Sequence, residues 1–397
     1  MHTTEYDDQT DPTPEQNAPH EMPTVAEPGS RQPETTAAPN EAAQWTLILR
    51  KFRQHRMAVA ALWLLVALAV IGLFCDFLSP NDPNRRYTGY MQMPPNRVRF
   101  VHPDSGFSLR PFVYGVSMEM DRTTYRRTYR EDTDRQYYVR FLSRGHEYRL
   151  LGVIRTDIHL FTADEPGVLF LFGTDDMGRD VFSRVLYGTR ISLSVGMLGV
   201  ALSFFLGCIL GGISGFIGGA VDVVIQRTIE FLLSIPTIPL WMSLSISLPK
   251  DWSPIRVYFF ITIILSIVGW CGLARVVRGK IMSVREEDYV LAAVAAGATQ
   301  AQIIRRHMLP AFTSYLIVSL TISIPSMILG ETALSFLGLG LRPPVISWGV
   351  LLRNAQDIRA VAVTPWQLLP ALFVVVTVLA FNFVGDGLRD AADPYRS

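Results

Sequence analysis

The chain has 397 residues, a formal net charge of +1 and 49% hydrophobic residues. The near-zero charge gives no indication of nucleic-acid binding, and the apolar fraction is too high for an ordinary soluble domain of this length. Its three cysteines, Cys75, Cys208 and Cys271, all lie in apolar runs without a CxxC pair, which excludes a disulfide framework and a zinc motif.

The N-terminal part predicts a tail followed by a membrane anchor. Residues 1–44 are rich in Pro, Glu, Thr, Ala and Asp, a composition typical of disorder. Residues 45–78 are expected to hold an amphipathic helix, which begins near Glu41 and continues to Arg56, and a first transmembrane span over 57–78. The basic residues that precede this span predict a cytoplasmic N-terminus.

Residues 79–172 differ from the rest of the chain. They are dense in Arg, Tyr and Asp, and fragments such as QYYVRFL and EYRLLGVI predict strands. We expect a β-rich insertion outside the membrane, on the extracytoplasmic side. Its many arginines do not conflict with the positive-inside rule, because that rule counts loops of up to about 60 residues.

Five more apolar segments predict five more spans within a core of residues 173–390. The basic 275–311 loop is expected inside, and six crossings return the C-terminal tail, 391–397, to the cytoplasm. The expected fold class is an all-α polytopic membrane protein with six transmembrane helices. The five segments are 191–219, 221–248, 257–274, 312–329 and 366–384.

The loop 282–310 carries an unusual run of small residues. One helix is predicted from Met282 to Ala296, with Ser283 as its N-cap, and a second over 300–308. Its alanines give a thin surface that another protein could approach closely, and Gly297 permits a backbone turn. An ordinary interfacial hairpin between two spans fits the same residues, so both interpretations stay open on physical grounds.

Charged residues near span three predict structural pairing. Intramembrane charges are often functional. The charges here lie close to the predicted cytoplasmic end, where pairing is easy. Pairs of Asp222 with Gln226 and of Arg227 with Glu230 are therefore favoured.

Five residues near the predicted outer side have two interpretations each. Glu331 could face the transport pathway or be a helix-end carboxylate that contacts the following loop, and both stay open. Asp176, Arg179 and Asp180 could form a polar gate or receive a binding protein, although a structural turn is favoured. Trp348 could stack on a ligand, although an anchor at the membrane interface is favoured.

The small-residue loop resembles a known motif. Leu291-Ala292-Ala293 is followed three residues later by Gly297 and then by Leu309-Pro310, which resembles the Glu-Ala-Ala loop of ABC-importer permease subunits. Leu291 replaces the glutamate and His307 replaces an isoleucine. The ending His307-x-Leu-Pro, with Tyr289-Val290, resembles the C-type permease of the dipeptide/oligopeptide branch. The segments 173–193, 331–349 and 381–394 also look like matching parts of that subunit.

The resemblance implies a permease fold and a complex in which the permease subunits carry the substrate and separate subunits bind ATP. It implies a multi-pass protein of the cell (inner) membrane that contacts membrane lipid. The implied partners are a second permease in a heterodimer, two ATP-binding cassette ATPase subunits, an extracytoplasmic substrate-binding protein and a peptide substrate. It also implies that the loop acts as a coupling helix seated on an ATPase. The residues carried over to that role are Tyr289, Leu291, Ala292, Ala293, Gly297, Arg305, His307, Leu309 and Pro310.

The sequence predicts no reaction centre, metal site or cofactor site. None of the three lysines stands in a phosphate-binding Gly-x-x-x-x-Gly-Lys-Ser/Thr pattern, so ATP hydrolysis is expected in partner subunits. Two alternatives remain: the same machinery could carry an oligosaccharide, glutathione or nickel, or the chain could be a membrane-anchored interaction protein that works through the insertion. Within the transport interpretation, we expect the insertion to cap the outer mouth and contact the binding protein.

Overall fold

The structure is a computed structural model that describes residues 41–102, 106–120, 122–123, 127–249, 251–299, 302–308 and 312–392. Most of the predicted tail, 1–44, lies outside these residues, as do Leu309, Pro310 and the end of the C-terminal tail. Met1–Trp45 form one unit, of which only the start of the first helix is described. Thr46–Ser397 form the other unit and contain the remaining elements.

The helices alternate between long apolar elements and short connecting ones. Short 3-10 turns lie at Thr88–Tyr90, Arg353–Gln356 and Pro365–Leu368, and one π-helix lies at Ile303–Met308. The α-helices, numbered in chain order, are α1 (Glu41–Gln54), α2 (Arg56–Leu73), α3 (Cys75–Leu78), α4 (Val181–Ile217), α5 (Gly219–Ser234), α6 (Thr237–Ile246), α7 (Pro254–Arg285), α8 (Asp288–Ala295), α9 (Thr313–Phe336), α10 (Trp348–Leu352), α11 (Ile358–Val363) and α12 (Leu369–Ala392).

Within the described part of the chain, five helical segments are long and apolar enough to cross a membrane. They correspond to α2, α4, α7, α9 and α12. The predicted third span is not one helix, because α5 and α6 meet at an 87° bend. The bend falls at Ile235-Pro236, where proline provides no amide donor and disfavours a helical residue before it. The pair is therefore a broken span or a re-entrant loop, and the membrane-crossing count is five or six.

Helices α4 and α7 are longer than the sequence pattern indicated. The 37 residues of α4 extend about 55 Å, well beyond an apolar layer of about 30 Å. The extra turns are amphipathic or polar, so hydropathy alone did not include them. The N-cap of α4 is Asp180, whose carboxylate accepts hydrogen bonds from the amides of Phe182 and Ser183.

Three glycines on one face of α4 permit close packing against α7. Gly207, Gly211 and Gly215 are spaced four residues apart and lie against Leu273, Ala274 and Arg278. A Cβ added at Gly211 would lie 2.4 Å from the carbonyl oxygen of Ala274. Small residues at this spacing let helix backbones approach in membranes.

The insertion forms a four-stranded antiparallel sheet in the order β1-β2-β3-β4, which confirms its β-rich character. Its strands are β1 (Arg99–His102), β2 (Gly106–Met120), β3 (Arg127–Leu150) and β4 (Ile154–Ala163). Val113, Val139 and Leu169 form a small buried cluster beneath it. The sheet is therefore seated on the segment that leads into α4.

The predicted single helix 282–296 is wrong. Helix α7 continues through Ser283 to Arg285, and α8 starts separately at Asp288 with Glu287 as its N-cap. The expectation failed because Ser283 resembles a capping residue although the preceding span does not end there. The predicted second helix, 300–308, is described only from 302 onward, and its residues 303–308 are π-helical.

Trp348 is also placed differently from the prediction. It is fully buried, and its indole N–H donates to the carbonyl of Val185 at 3.3 Å. It therefore packs from the start of α10 against α4 instead of anchoring the chain at the membrane interface.

Candidate functional site

Helix α8 is fixed by its own local sequence. Glu287 has an extended backbone that starts the helix, and Asp288 places a carboxylate in the first turn, where the helix dipole favours it. A run of alanines and valines continues the helix to Ala295. Gly297 then adopts φ +78°, a left-handed conformation that confirms the predicted turn.

The inner side of α8 rests on a buried apolar cluster. Val290 is 1% exposed and packs with Val277 and Ile281 of α7. The π-helix contributes Ile303 and Met308 to the same cluster. The start of α9 completes it through Phe312 and Leu316. The segment between α7 and α9 is therefore held to both helices by apolar contacts.

The outer side of α8 is apolar and exposed. Tyr289, Leu291 and Val294 are 46%, 53% and 54% exposed. Ala292 and Ala295 between them are also exposed, so the surface is thin as well as apolar. We name the exposed side chains of these five residues the α8 face. Such a face outside the long helices is suited to a protein partner.

Not all residues predicted for this segment come together. Tyr289, Leu291 and Ala292 lie on the α8 face, whereas Ala293 is half-buried and faces the cluster. Arg305 and His307 belong to the π-helix by their backbone, but the description does not extend to their side chains. Leu309 and Pro310 lie outside the described residues.

Glu331 is the centre of a buried polar network. Its carboxylate accepts hydrogen bonds from the hydroxyls of Ser192 (3.2 Å), Ser335 (2.8 Å) and Ser347 (2.7 Å). Ser192 also accepts from the amide of Trp348, and Ser347 caps α10. The carboxylate thus joins α4, α9 and the loop after α9, which matches the helix-end interpretation. It is fully buried and does not line the membrane cavity described below.

Asp176 and Arg179 lie in a tight turn before α4. Arg179 pairs with Asp175 at 2.7 Å, and Asp175 also accepts from the amides of Met177 and Arg179. Asp176 accepts from the side-chain amides of Gln92 and Gln367, both at 3.0 Å. These contacts tie the turn to its surroundings, in agreement with a structural turn.

The N-cap of α4 lies at the end of the same turn. Burial raises the pKa of the Asp180 carboxyl to about 6, although hydrogen bonds from Ser183 and Asn81 act in the opposite direction. The group is fully buried. It is therefore a structural carboxyl whose charge depends on pH in the physiological range.

Asp222 has a different partner from the predicted one. Arg278 of α7 donates two hydrogen bonds to its carboxylate, both at 2.6 Å. Gln226 instead donates to Ser214 at 3.1 Å. The sequence could not indicate the Asp222–Arg278 pair, because the two residues are 56 positions apart. The predicted pair of Arg227 with Glu230 is confirmed at 2.7 Å.

A cavity of about 330 Å³ lies between α4, α6, α7 and α9. Hydroxyl groups of Ser319, Ser323 and Ser326 line its α9 side. Trp241 also lines it, and the indole N–H of Trp241 is buried without a partner among the described residues. Sequence reasoning missed this cavity, although the i, i+4, i+7 spacing of the three serines on α9 was a usable signal.

No group of three or more His, Cys, Asp or Glu side chains in the described ranges is arranged to hold a metal ion. Cys75 and Cys271 are buried, Cys208 is partly buried, and all three are free thiols.

Together, the long apolar helices define a multi-pass membrane protein, and the exposed α8 face lies outside them. The chain belongs to the family described as binding-protein-dependent transport system inner membrane component, whose model matches residues 168–396. A second family model, the N-terminal TM domain of oligopeptide transport permease C, matches residues 43–95. The two matches leave most of the sheet insertion uncovered.

Curated relatives agree with this family. The chain is 38% identical over 238 residues to the oligopeptide transport system permease protein OppC of Bacillus subtilis, covering 59% of this chain and 75% of that protein. It is 42% identical over 224 residues to OppC of Haemophilus influenzae, covering 56% and 70%. A solved inward-facing structure of the MetNI methionine ABC transporter aligns at 18% identity and TM-score 0.42, covering 53% of this chain and 97% of that one.

Proposed function

We propose that the chain is the permease subunit of an ATP-driven importer of dipeptides or oligopeptides. The names of the relatives support the peptide substrate, since they are dipeptide and oligopeptide permeases. In this proposal the chain pairs with a second permease and two ATPase subunits, and an external binding protein delivers the peptide. Both termini are cytoplasmic and the sheet is extracytoplasmic, which requires α5 and α6 to form one broken span.

The observation that carries the coupling role is the two-sided character of α8. One side is anchored to α7 and α9 through Val290 and its cluster, and the other presents the exposed α8 face. A partner that moves against this face therefore displaces the ends of two long helices at once. That is the mechanical requirement for ATP binding to bias one arrangement of the permease pair over another.

The serine-lined cavity is a candidate part of the pathway. Hydroxyls and an indole N–H can exchange hydrogen bonds with peptide groups without holding a fixed charge. The cavity opens beside the 87° bend between α5 and α6, where α6 supplies Trp241. We propose that peptide passes along the interface with the second permease and contacts this cavity.

Coupling is tested with a bulky substitution on the α8 face. Ala292→Trp is expected to abolish ATP hydrolysis stimulated by the loaded binding protein, because the indole prevents close seating of an ATPase. Ala67→Trp is the control, since Ala67 is likewise an exposed alanine but lies on α2, outside the α8 face and outside the insertion. Normal stimulated hydrolysis in a folded, fully assembled Ala292→Trp complex would contradict the coupling role.

The substrate is tested by uptake into proteoliposomes that contain the complete complex. Radiolabelled di- and oligopeptides are expected to accumulate when ATP and the binding protein are present. Uptake of an oligosaccharide, glutathione or nickel in place of peptide would overturn the substrate assignment and leave the permease role intact.

A further inference from the structure

The hairpin that joins β3 to β4 ends in an exposed apolar tip. Leu150 and Ile154 are its last paired residues, and Leu151, Gly152 and Val153 form the loop between them. Val153 is 82% exposed, and Leu151 and Ile154 are at least half exposed. This tip is not covered by any other described element of the chain.

The turn itself does not explain the apolar side chains. Leu151 has φ 52° and Gly152 has φ +76°, so both residues are left-handed. Asparagine and glycine adopt such turns readily, whereas a leucine with positive φ is uncommon. The turn itself therefore does not account for a half-exposed leucine at this position.

Two arginines flank the tip. Arg149 lies directly opposite Arg155 in the register of the two strands. Like charges in such positions destabilise a sheet unless an anion lies between them. The ion pairs of this hairpin, Arg140–Asp164 and Arg144–Asp157, lie nearer its base, and neither tip arginine has a carboxylate partner among the described residues.

The packing of the hairpin shows which way it runs. Near its base, the ring of Phe161 lies 6.2 Å from that of Phe182, in the first turn of α4. Further along, β3 and β4 pack against α3, which directly follows α2. Asp76 of α3 pairs with Arg190, eight residues or about 12 Å deeper along α4. The hairpin therefore runs alongside α4 toward the level at which α2 leaves the membrane.

Electrostatics agree with this placement. Burial is the main cause of the raised pKa of the Tyr148 phenol, and the charge of Asp76 adds to it. The Tyr148 phenol donates to the carbonyl of Ile158, so Asp76 acts on the part of the hairpin that leads to the tip. Leu73 and Val70 on the neighbouring end of α2 are about half exposed, and they provide an apolar surface that continues toward the tip.

We propose that the tip of this hairpin, residues 150–154, inserts into the interfacial layer of the membrane beside α2, with Arg149 and Arg155 bound to lipid phosphates. Apolar side chains enter the boundary between headgroups and acyl chains while flanking arginines stay with the phosphates. The occupant that matches both the apolar tip and the paired cations is a phospholipid surface. The hairpin would hold the sheet at a fixed tilt over the helices.

The insertion is tested on the full chain in nanodiscs of phosphatidylcholine and phosphatidylglycerol. Val153→Cys is labelled with bimane, and Leu109→Cys is the matched control, because Leu109 is 87% exposed on β2 of the same sheet. The parent chain, labelled in parallel, reports any reaction of its native cysteines. We expect doxyl-labelled lipid to quench the label at 153 and iodide to quench the label at 109.

Equal quenching of both labels by iodide would overturn the proposal. Protection of the label at 153 that requires an added binding protein would overturn it too, because the occupant would then be protein.

The double variant Arg149→Gln/Arg155→Gln tests the arginines separately. We expect this variant to lose lipid quenching of the label at 153. The loss should be larger in nanodiscs that contain phosphatidylglycerol than in nanodiscs of phosphatidylcholine alone. Unchanged quenching would contradict phosphate binding.

Discussion

The two ends of α9 are built in opposite ways. Near its C-terminus, Glu331 holds three serine hydroxyls in a buried network that fixes α4 and the following loop. At its N-terminus, Phe312 and Leu316 join an apolar cluster that supports α8, and the opposite side of α8 is exposed.

The two ends therefore differ in what they contact. The C-terminal end is held by hydrogen bonds within the chain, and the N-terminal end supports an exposed surface. Directional hydrogen bonds with every partner inside the chain resist rearrangement. An apolar cluster tolerates small shifts better, and the α8 face leaves a surface for another protein. We therefore expect substitutions at the Glu331 end to change stability and substitutions on the α8 face to change function.

The largest effect is expected from Glu331→Leu. It leaves the hydroxyls of Ser192, Ser335 and Ser347 without their acceptor, and we expect a loss of about 2–4 kcal/mol, since an unsatisfied buried donor costs about 1–3 kcal/mol and hydroxyls can partly reorient. Thermal unfolding in detergent measures it. Glu331→Gln keeps one acceptor oxygen and should lose less; equal losses for the two variants would argue against the network.

The next effect concerns the packing of α4 on α7, which connects the two ends. Gly211→Ala places a Cβ 2.4 Å from the carbonyl oxygen of Ala274, so the helices must separate. We expect a cost of about 1–3 kcal/mol. Gly272→Ala on α7 is the control, because its Cβ would meet nothing within 4 Å. A melting temperature lowered equally by both substitutions would show that helix separation is not the cause.

A smaller effect is expected for the ion pair that links α5 to α7. Asp222→Ala should cost about 1 kcal/mol, because Asp222 and Arg278 are partly exposed but form two hydrogen bonds. Arg227→Ala should change stability by less than about 0.5 kcal/mol, since Arg227 and Glu230 are both more than half exposed. Chemical denaturation measures the free energy of unfolding of both variants. A larger loss for Arg227→Ala than for Asp222→Ala would contradict the larger contribution expected from the Asp222–Arg278 pair.

The last prediction is a pH dependence from Asp180, measured as a change with pH instead of a loss at one pH. Burial raises the pKa of this carboxyl to about 6 from an ordinary value of 3.8, so folding favours its protonated form. Its contribution to stability is fully present below pH 3.8 and is lost as the pH rises through about 6. The difference between the melting temperatures of the parent chain and Asp180→Asn should therefore change between about pH 4 and 6. A constant difference would contradict the raised pKa.

Much of the architecture could be predicted because it follows from local patterns. Apolar runs located α2, α4, α7, α9 and α12, and the strand-like fragments of the insertion correctly indicated a sheet. Gly297 correctly indicated a turn, since glycine adopts a left-handed backbone without the steric cost of a side chain. The small alanines also marked α8 correctly, although the boundary at Arg285 was missed.

The remainder depends on contacts between distant residues. The partner of Asp222 is on another helix, and the burial of Trp348 depends on how α10 packs against α4. The exposure of Leu291 and the burial of Val290, one residue apart, depend on how α8 is seated on α7 and α9. Sequence periodicity indicates which residues share a helix face, but it does not indicate what that face contacts.

We propose that the α8 face receives an ATPase subunit. Leu291 and Val290 are sequence neighbours that are 53% and 1% exposed, so they form a matched pair. A photo-crosslinking amino acid placed at Leu291 in the assembled complex is predicted to form a covalent adduct with the ATPase, whereas one at Val290 is predicted to form none. If Val290 but not Leu291 forms the adduct, the ATPase does not contact the α8 face. If neither position forms an adduct in an intact complex, this contact is also contradicted.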